Sequence, residues 1–185
     1  MRYILLLLIP LFLTGQSLYA QEHETNDKGS HRKTSYFRIS TAIAHTFVPE
    51  ETTDGTKTAV LPSLGLDIEF WVNHKFGIGL HNDLELMTFE VKENENILIE
   101  REYPFLMTLD ALWKPYKELV VFVGPGIELE PVENYFVFRA GCEYEVEIST
   151  HWDLSPLVFY DIRDGAYNTL SVGIGIGYRF NSKKK

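Results

Sequence analysis

Acidic, basic and imidazole side chains recur along this chain at every second position, a spacing that gathers them on one face of an extended backbone. Asp67 and Glu69 form one such pair, His81, Asp83 and Glu85 a triplet, and Glu143 and Glu145 a second pair, while Asp110, Glu128 and Asp161 continue the same alternation. Arg38, Arg139 and Arg179 are the cations that share it. A carboxylate beside a His can move protons, and a Ser beside a His can become a nucleophile. His81 with Asp83 and His151 with Ser155 are therefore the pairs whose chemistry needs testing. The sequence has no Gly-x-Ser-x-Gly, no His-x-Ser pair on a strand and no His-x-x-x-His spacing. It assigns no catalytic residue, no metal ligand and no cofactor. His23 and His31 have only their residue type to suggest a metal role, His81 reads as a hydrogen-bonding group, and His45 as an interfacial one.

The elements that must carry these residues are strands. From Thr169 to Phe180, Leu170, Val172, Ile174, Ile176, Tyr178 and Phe180 alternate with Ser171, Gly173, Gly175, Gly177 and Arg179. The same period of two marks strands at about 36–48, 60–72, 76–86, 98–113, 119–130, 136–147 and 152–163, eight in all with no helix among them. Turn-rich segments separate them. Asn73 to Lys75, Lys114 to Lys117 and Ser149 to His151 are tight, Lys92 to Asn96 is a second polar loop, and Pro49 to Lys57 is expected to be the longest connection. Short connections pair sequential strands antiparallel, and eight strands suffice to close and remove the sheet edges. The fold predicted is all-β, an eight-stranded antiparallel up-and-down barrel over 36–180. Strands of ~10–13 residues match the ~9–11 that a tilted strand needs to cross a bilayer.

The flanks are of a different kind. Met1-Arg2-Tyr3, the apolar run Ile4 to Leu13 and the small-residue site Ser17-Leu18-Tyr19-Ala20 have the layout of a Sec-type signal peptide over 1–20. Residues 21–35 read as a flexible polar lead-in, and 181–185 as a basic tail. A formal charge of −9 over 185 residues argues against nucleic acid as a partner. The single Cys142 excludes an intramolecular disulfide.

Alternation alone does not say which face looks outward. The apolar faces carry no charge in their central parts, where Arg or Lys against lipid would cost about 2–4 kcal/mol, so the apolar face is read as lipid-facing and the charged one as the lumen. Trp71, Trp113 and Trp152 fall at one end of the barrel, joined by Tyr116, Tyr178 and Phe180, which predicts an aromatic girdle at a membrane interface. Trp71 sits on the polar parity of its strand. In the lumen, Arg38 and Arg179 lie on the first and last strands and are expected to clamp carboxylates at that same end, with Arg139 serving Glu128 and Asp161 further along. Carboxylates outnumber cations there, so some hold protons or a cation.

The signal, the alternating strands, Gly124-Pro125-Gly126-Ile127-Glu128, Phe138-Arg139-Ala140-Gly141 and the closing stretch Gly173 to Phe180 together resemble the small eight-stranded outer-membrane β-barrel family of the OmpA/OmpX type. The resemblance implies a porin-like barrel in the bacterial outer membrane, in contact with its lipid. It implies assembly by the barrel-assembly machinery through the C-terminal strand, and no periplasmic domain. The family has adhesion, defence, structural and enzymatic members, so the likeness selects no activity. The expected role is structural or surface-interacting, with the acidic segments near Glu50, Glu51, Asp54, Glu93 and Glu95 facing an external ligand that the sequence does not identify. A lipid-modifying outer-membrane enzyme and a secreted lipocalin-like barrel binding a small apolar ligand are the alternatives.

Overall fold

The computed structural model describes residues 35–52, 55–93, 97–131 and 133–180. The expected signal peptide, the lead-in up to residue 34, His23 and His31, Asp54, Glu95 and the basic tail lie outside the described residues, as do the side chains of Glu50, Glu51 and Glu93. The period-two segments form β1 (Tyr36–Thr52), β2 (Gly55–Trp71), β3 (Phe76–Glu85), β4 (Thr88–Glu93), β5 (Ile97–Glu102), β6 (Phe105–Tyr116), β7 (Leu119–Leu129), β8 (Tyr135–Tyr144), β9 (Val146–Glu147), β10 (Trp152–Arg163) and β11 (Asn168–Phe180). No helix occurs among the described residues.

β3 with β4, β5 with β6, and β8 with β9 are broken continuations of one another, so the eleven strands make eight staves. Every pairing is antiparallel between sequence neighbours, and β11 pairs with both β10 and β1, which closes the barrel. The seam runs in register from Phe37↔Phe180 to Phe47↔Leu170. The fold class expected from the alternation is the one observed.

Two stretches depart from expectation. Pro49 to Lys57 is not a long loop: β1 and β2 stay paired through Glu50↔Lys57 and Glu51↔Thr56 to Thr52↔Gly55, making a ribbon of 17-residue strands longer than a bilayer crossing needs. Extended Thr-rich backbone next to an established ladder simply prolongs the ladder. The stave read as one strand from Leu98 to Trp113 is broken at Tyr103, whose φ of 47° places it in the left-handed region and reverses the facing of what precedes it. Arg101 consequently points inward, although parity counted from β6 would put it outside.

The two faces are sorted by chemistry. Ile43 is 63% exposed, Leu109 59% and Ile78 54%, and apolar residues such as Leu66, Val123, Val172, Ile174 and Ile176 continue that outer surface. Inside, small apolar layers alternate with charge. Trp71, Leu112, Val120, Phe122 and Phe159 pack together toward one end. Val48, Leu61, Phe89, Val91, Tyr135 and Tyr167 form a second cluster, in which the β4–β5 hairpin contributes Phe89 and Val91.

Candidate functional site

The lumen holds ten buried carboxylates and half-buried Asp67 against six buried cations, counted among the described residues. They fall into three tiers. The lower tier lies at the end marked by Trp113 and Trp152. There Arg38 on β1 stands directly opposite Arg179 on β11, and both turn to the same carboxylate. Arg38 Nη2 donates to Asp153 Oδ1 at 2.8 Å, and Arg179 Nε to Asp153 Oδ2 at 3.0 Å. Arg38 Nη1 also donates to Glu69 and, at 3.0 Å, to Glu143, while Nη2 donates to Ser155 Oγ at 2.7 Å. A Cβ at Gly177 would stand 2.5 Å from Arg38 Nε, so the bare backbone of β11 makes the room this guanidinium occupies. Glu145 accepts from Lys114 at 2.5 Å and from Arg179 at 2.8 Å. Arg179 also holds the exposed Glu147 at 2.6 Å.

In the middle tier Arg139 donates to both oxygens of Asp161, at 2.7 and 2.9 Å, and to Asp83 at 2.5 Å. Its guanidinium lies 4.0 Å from the centre of the Phe159 ring. His81 Nδ1 is 2.9 Å from Asp110 Oδ2, which Thr108 also donates to at 2.7 Å. Asp67 accepts from Ser40 Oγ at 3.1 Å.

The upper tier is built on Glu128. Arg101 donates to its Oε1 at 2.6 Å, Tyr167 to the same oxygen at 2.8 Å, and Arg163 to its Oε2. Arg101 reaches further, to Glu130 at 3.1 Å and to the carbonyl of Glu133 at 2.8 Å. Glu85 faces Arg163 at 3.7 Å. Burial holds the Tyr167 hydroxyl well above its ordinary range, so it is a donor to Glu128 at any physiological pH.

Every charged residue expected in the lumen lies there, but some partners differ. Arg38 and Arg179 clamp carboxylates at the expected end. Arg139 serves Asp161 and Asp83 but not Glu128, which lies a tier higher and is held by Arg163 and Arg101 instead. Trp71 is a correction: it is fully buried, its Nε1 donates to Glu69 at 2.7 Å, and Lys114 sits 4.4 Å above its ring. Its polar parity turns it into the lumen, so it is not part of the girdle. Trp113, Tyr116, Trp152 and Phe180 do face outward at that end, and Tyr178 packs edge-on to Trp152 and Phe180. The Ser and His considered for nucleophilic chemistry are kept apart: Ser155 is held by Arg38, whereas His151 stacks on Tyr178.

Sequence reasoning missed several members of the network. Asp153 and Arg163 share the polar parity of their strand and were legible on that ground. Lys114 looked like a turn residue but is the last inward position of β6. Arg101 was concealed by the reversal at Tyr103.

A closed eight-stranded antiparallel barrel, apolar outside and charged within, is the architecture of bacterial outer-membrane β-barrels. No protein-family model matches the sequence, and no curated protein does. Solved structures do match. The attachment invasion locus protein Ail of Yersinia pestis, solved with the heparin analogue sucrose octasulfate, is similar at a TM-score of 0.55 and 16% identity, covering 79% of this chain and 99% of that one. Neisserial surface protein A is similar at 0.54 and 9% identity, covering 78% and 97%. The outer membrane protein OprG of Pseudomonas aeruginosa is similar at 0.54 and 13%, covering 80% and 97%. At these identities the likeness is one of fold.

Proposed function

We propose that this chain is an integral outer-membrane β-barrel whose lumen is closed by its own charges and whose role is structural or surface-interacting. The observation that carries this is the inversion of the usual arrangement: Ile43, Leu109, Ile78 and their neighbours are exposed while Arg38, Arg139 and Glu128 are buried. In water such a surface would be a large uncovered apolar patch; in a bilayer it is the required one. A lipocalin-like carrier of an apolar ligand needs the opposite arrangement, with an apolar lumen. The three tiers of ion pairs, with the two apolar clusters, occupy most of the lumen, as a barrel of this size allows.

Both chain ends of the barrel and the tight turns lie at the end bearing Trp113 and Trp152, which suits the periplasmic side. The β1–β2 ribbon and the β4–β5 hairpin then face outward, as the parts that meet a partner. Acidic side chains predominate among the described exposed charges there: Glu90 lies directly across from Glu100 on the hairpin, and Glu102, Glu133 and Asp164 are exposed at the same end, against exposed Lys57 on the ribbon. A sulfated polyanion of the kind seen with Ail does not suit such a surface, so a cationic partner fits better. Assembly is through β11, whose outward face ends in Phe180.

Fractionation tests the reading. The chain is expected in the detergent-extracted outer-membrane fraction, migrating faster unheated than boiled on a denaturing gel. Recovery as a soluble periplasmic protein without that shift would overturn it.

A further inference from the structure

The two rims of the barrel differ in charge. Acidic side chains predominate at the ribbon end, whereas the exposed cations of the tight-turn end are His74 and Lys75 between β2 and β3 and Lys117 between β6 and β7. Backbone contacts set these two turns side by side. The Asn73 side chain accepts from the amides of Lys75 and Phe76 at 2.8 and 3.0 Å, and the Lys75 carbonyl accepts from the Lys114 amide at 2.8 Å. The acidic groups described outside the lumen at this rim already face a cation. Glu118 lies 3.9 Å from Lys114, and Glu147 is bonded to Arg179 at 2.6 Å. Lys75 and Lys117 take part in no ion pair among the described residues.

The sequence adds cations on both sides of the seam. β1 begins at Tyr36 and β11 finishes at Phe180, both at this rim, with Arg32 and Lys33 just before the one and Lys183 to Lys185 just after the other. Three to five residues reach at most about 10–18 Å, which ties these charges to the rim. Directly above it in the bilayer lie the outward aromatics Phe76, Trp113, Tyr116, Trp152 and Phe180. Phe76 stands opposite Trp113 across β3 and β6, and Lys117 Nζ lies 5.0 Å from the centre of the Tyr116 ring. Aromatic rings of this kind mark the level of the head groups, so a lysine beside them meets lipid phosphate. We infer, on the barrel reading proposed above, that this rim is a docking surface for anionic phospholipid of the inner leaflet, with Lys75, Lys117 and Lys183 to Lys185 on its head groups. The acidic rim offers such a lipid no counterpart. An anionic polymer in the periplasm would meet the same charges, but the girdle adjoining them favours a ligand that belongs to the bilayer.

The test refolds the tag-free chain into phosphatidylcholine vesicles carrying a minor share of brominated phosphatidylglycerol or, in parallel, of brominated phosphatidylcholine. Bromine on adjoining lipid quenches Trp113 and Trp152. At low salt the anionic lipid is expected to quench more strongly, as if enriched about five-fold beside the girdle, the worth of one lysine at an anionic surface. At about 1 M salt, where the screening length falls to ~3 Å, the two lipids should quench alike. Replacing Lys75, Lys117 and Lys183 to Lys185 together by Gln should remove the preference, while quenching by brominated phosphatidylcholine and the gel shift on heating persist. Replacing Glu90, Glu100 and Glu102 by Gln at the other rim should leave the preference in place. Equal quenching at low salt, or a preference that survives the lysine replacements, would overturn the docking surface and leave the barrel in the membrane. No quenching by either lipid would overturn both. Equal quenching together with cosedimentation of the vesicles with isolated cell-wall sacculi would assign the rim to an anionic polymer instead.

Discussion

Replacing Arg38 by Met keeps most of the side chain's volume and removes only its charge and donors. Those donors reach Glu69, Glu143, Asp153 and Ser155 from a fully buried position. The losses are unequal. Asp153 keeps Arg179 and Ser155, and Glu69 keeps the Trp71 indole. Glu143 loses the guanidinium that neutralises it. Around Glu69, Glu143, Glu145 and Asp153 the cations fall from Arg38, Lys114 and Arg179 to the last two. Removing one partner of a buried ion pair costs about 3–5 kcal/mol, because the remaining charge stays desolvated, and Arg38→Met belongs in that range. Reversible urea unfolding of the barrel in lipid vesicles at neutral pH measures it. The double variant Arg38→Met, Glu69→Gln should lose clearly less than the sum of the two single losses, since the second change removes a charge the first left stranded. A single-variant loss below about 1 kcal/mol, the scale of an exposed pair, or strict additivity would refute the reasoning.

Three further outcomes follow from the same geometry. Arg101→Ala removes the tie to Glu128, Glu130 and the Glu133 carbonyl, so protease should cut the β4–β5 hairpin faster while the heat-shifted gel band of the barrel persists. Brominated lipid should quench Trp113 and Trp152 but spare Trp71, as single-Trp variants in vesicles will show. Because burial raises the Tyr167 pKa, the folded chain holds that proton after the unfolded one has released it near pH ~10. Its contribution to stability is therefore complete below about pH 10 and declines as pH rises further, a decline that Tyr167→Phe should lessen in denaturant titrations.

The barrel was legible because period two has one physical meaning when it recurs eight times: each strand has two faces, and the faces here differ in polarity throughout. Parity also located the charged lumen, and it held wherever the backbone stayed in the extended region. It failed for Arg101, because a single residue in the left-handed region at Tyr103 inverts every facing beyond it, and a Tyr gives no warning of that as a Gly would. Trp71 was misplaced for another reason. Its residue type suggested an interface, but its parity was the better guide, since Glu69 and Lys114 supply the polar partners a buried indole needs. The pairing of Arg139 was out of reach, because which carboxylates share its height depends on the stagger between staves, and strand periodicity does not contain that stagger.

Arg38 and Arg179 face each other across the seam where the first and last strands meet. Two like charges side by side at the seam repel unless anions stand between them. Asp153 is one such anion, and it comes from β10, the strand paired with β11; Glu145, bonded to Arg179 and 4.0 Å from Arg38, is another. The closing hairpin thus carries to the join a counter-charge of its own, held beside β11 and shared with β1.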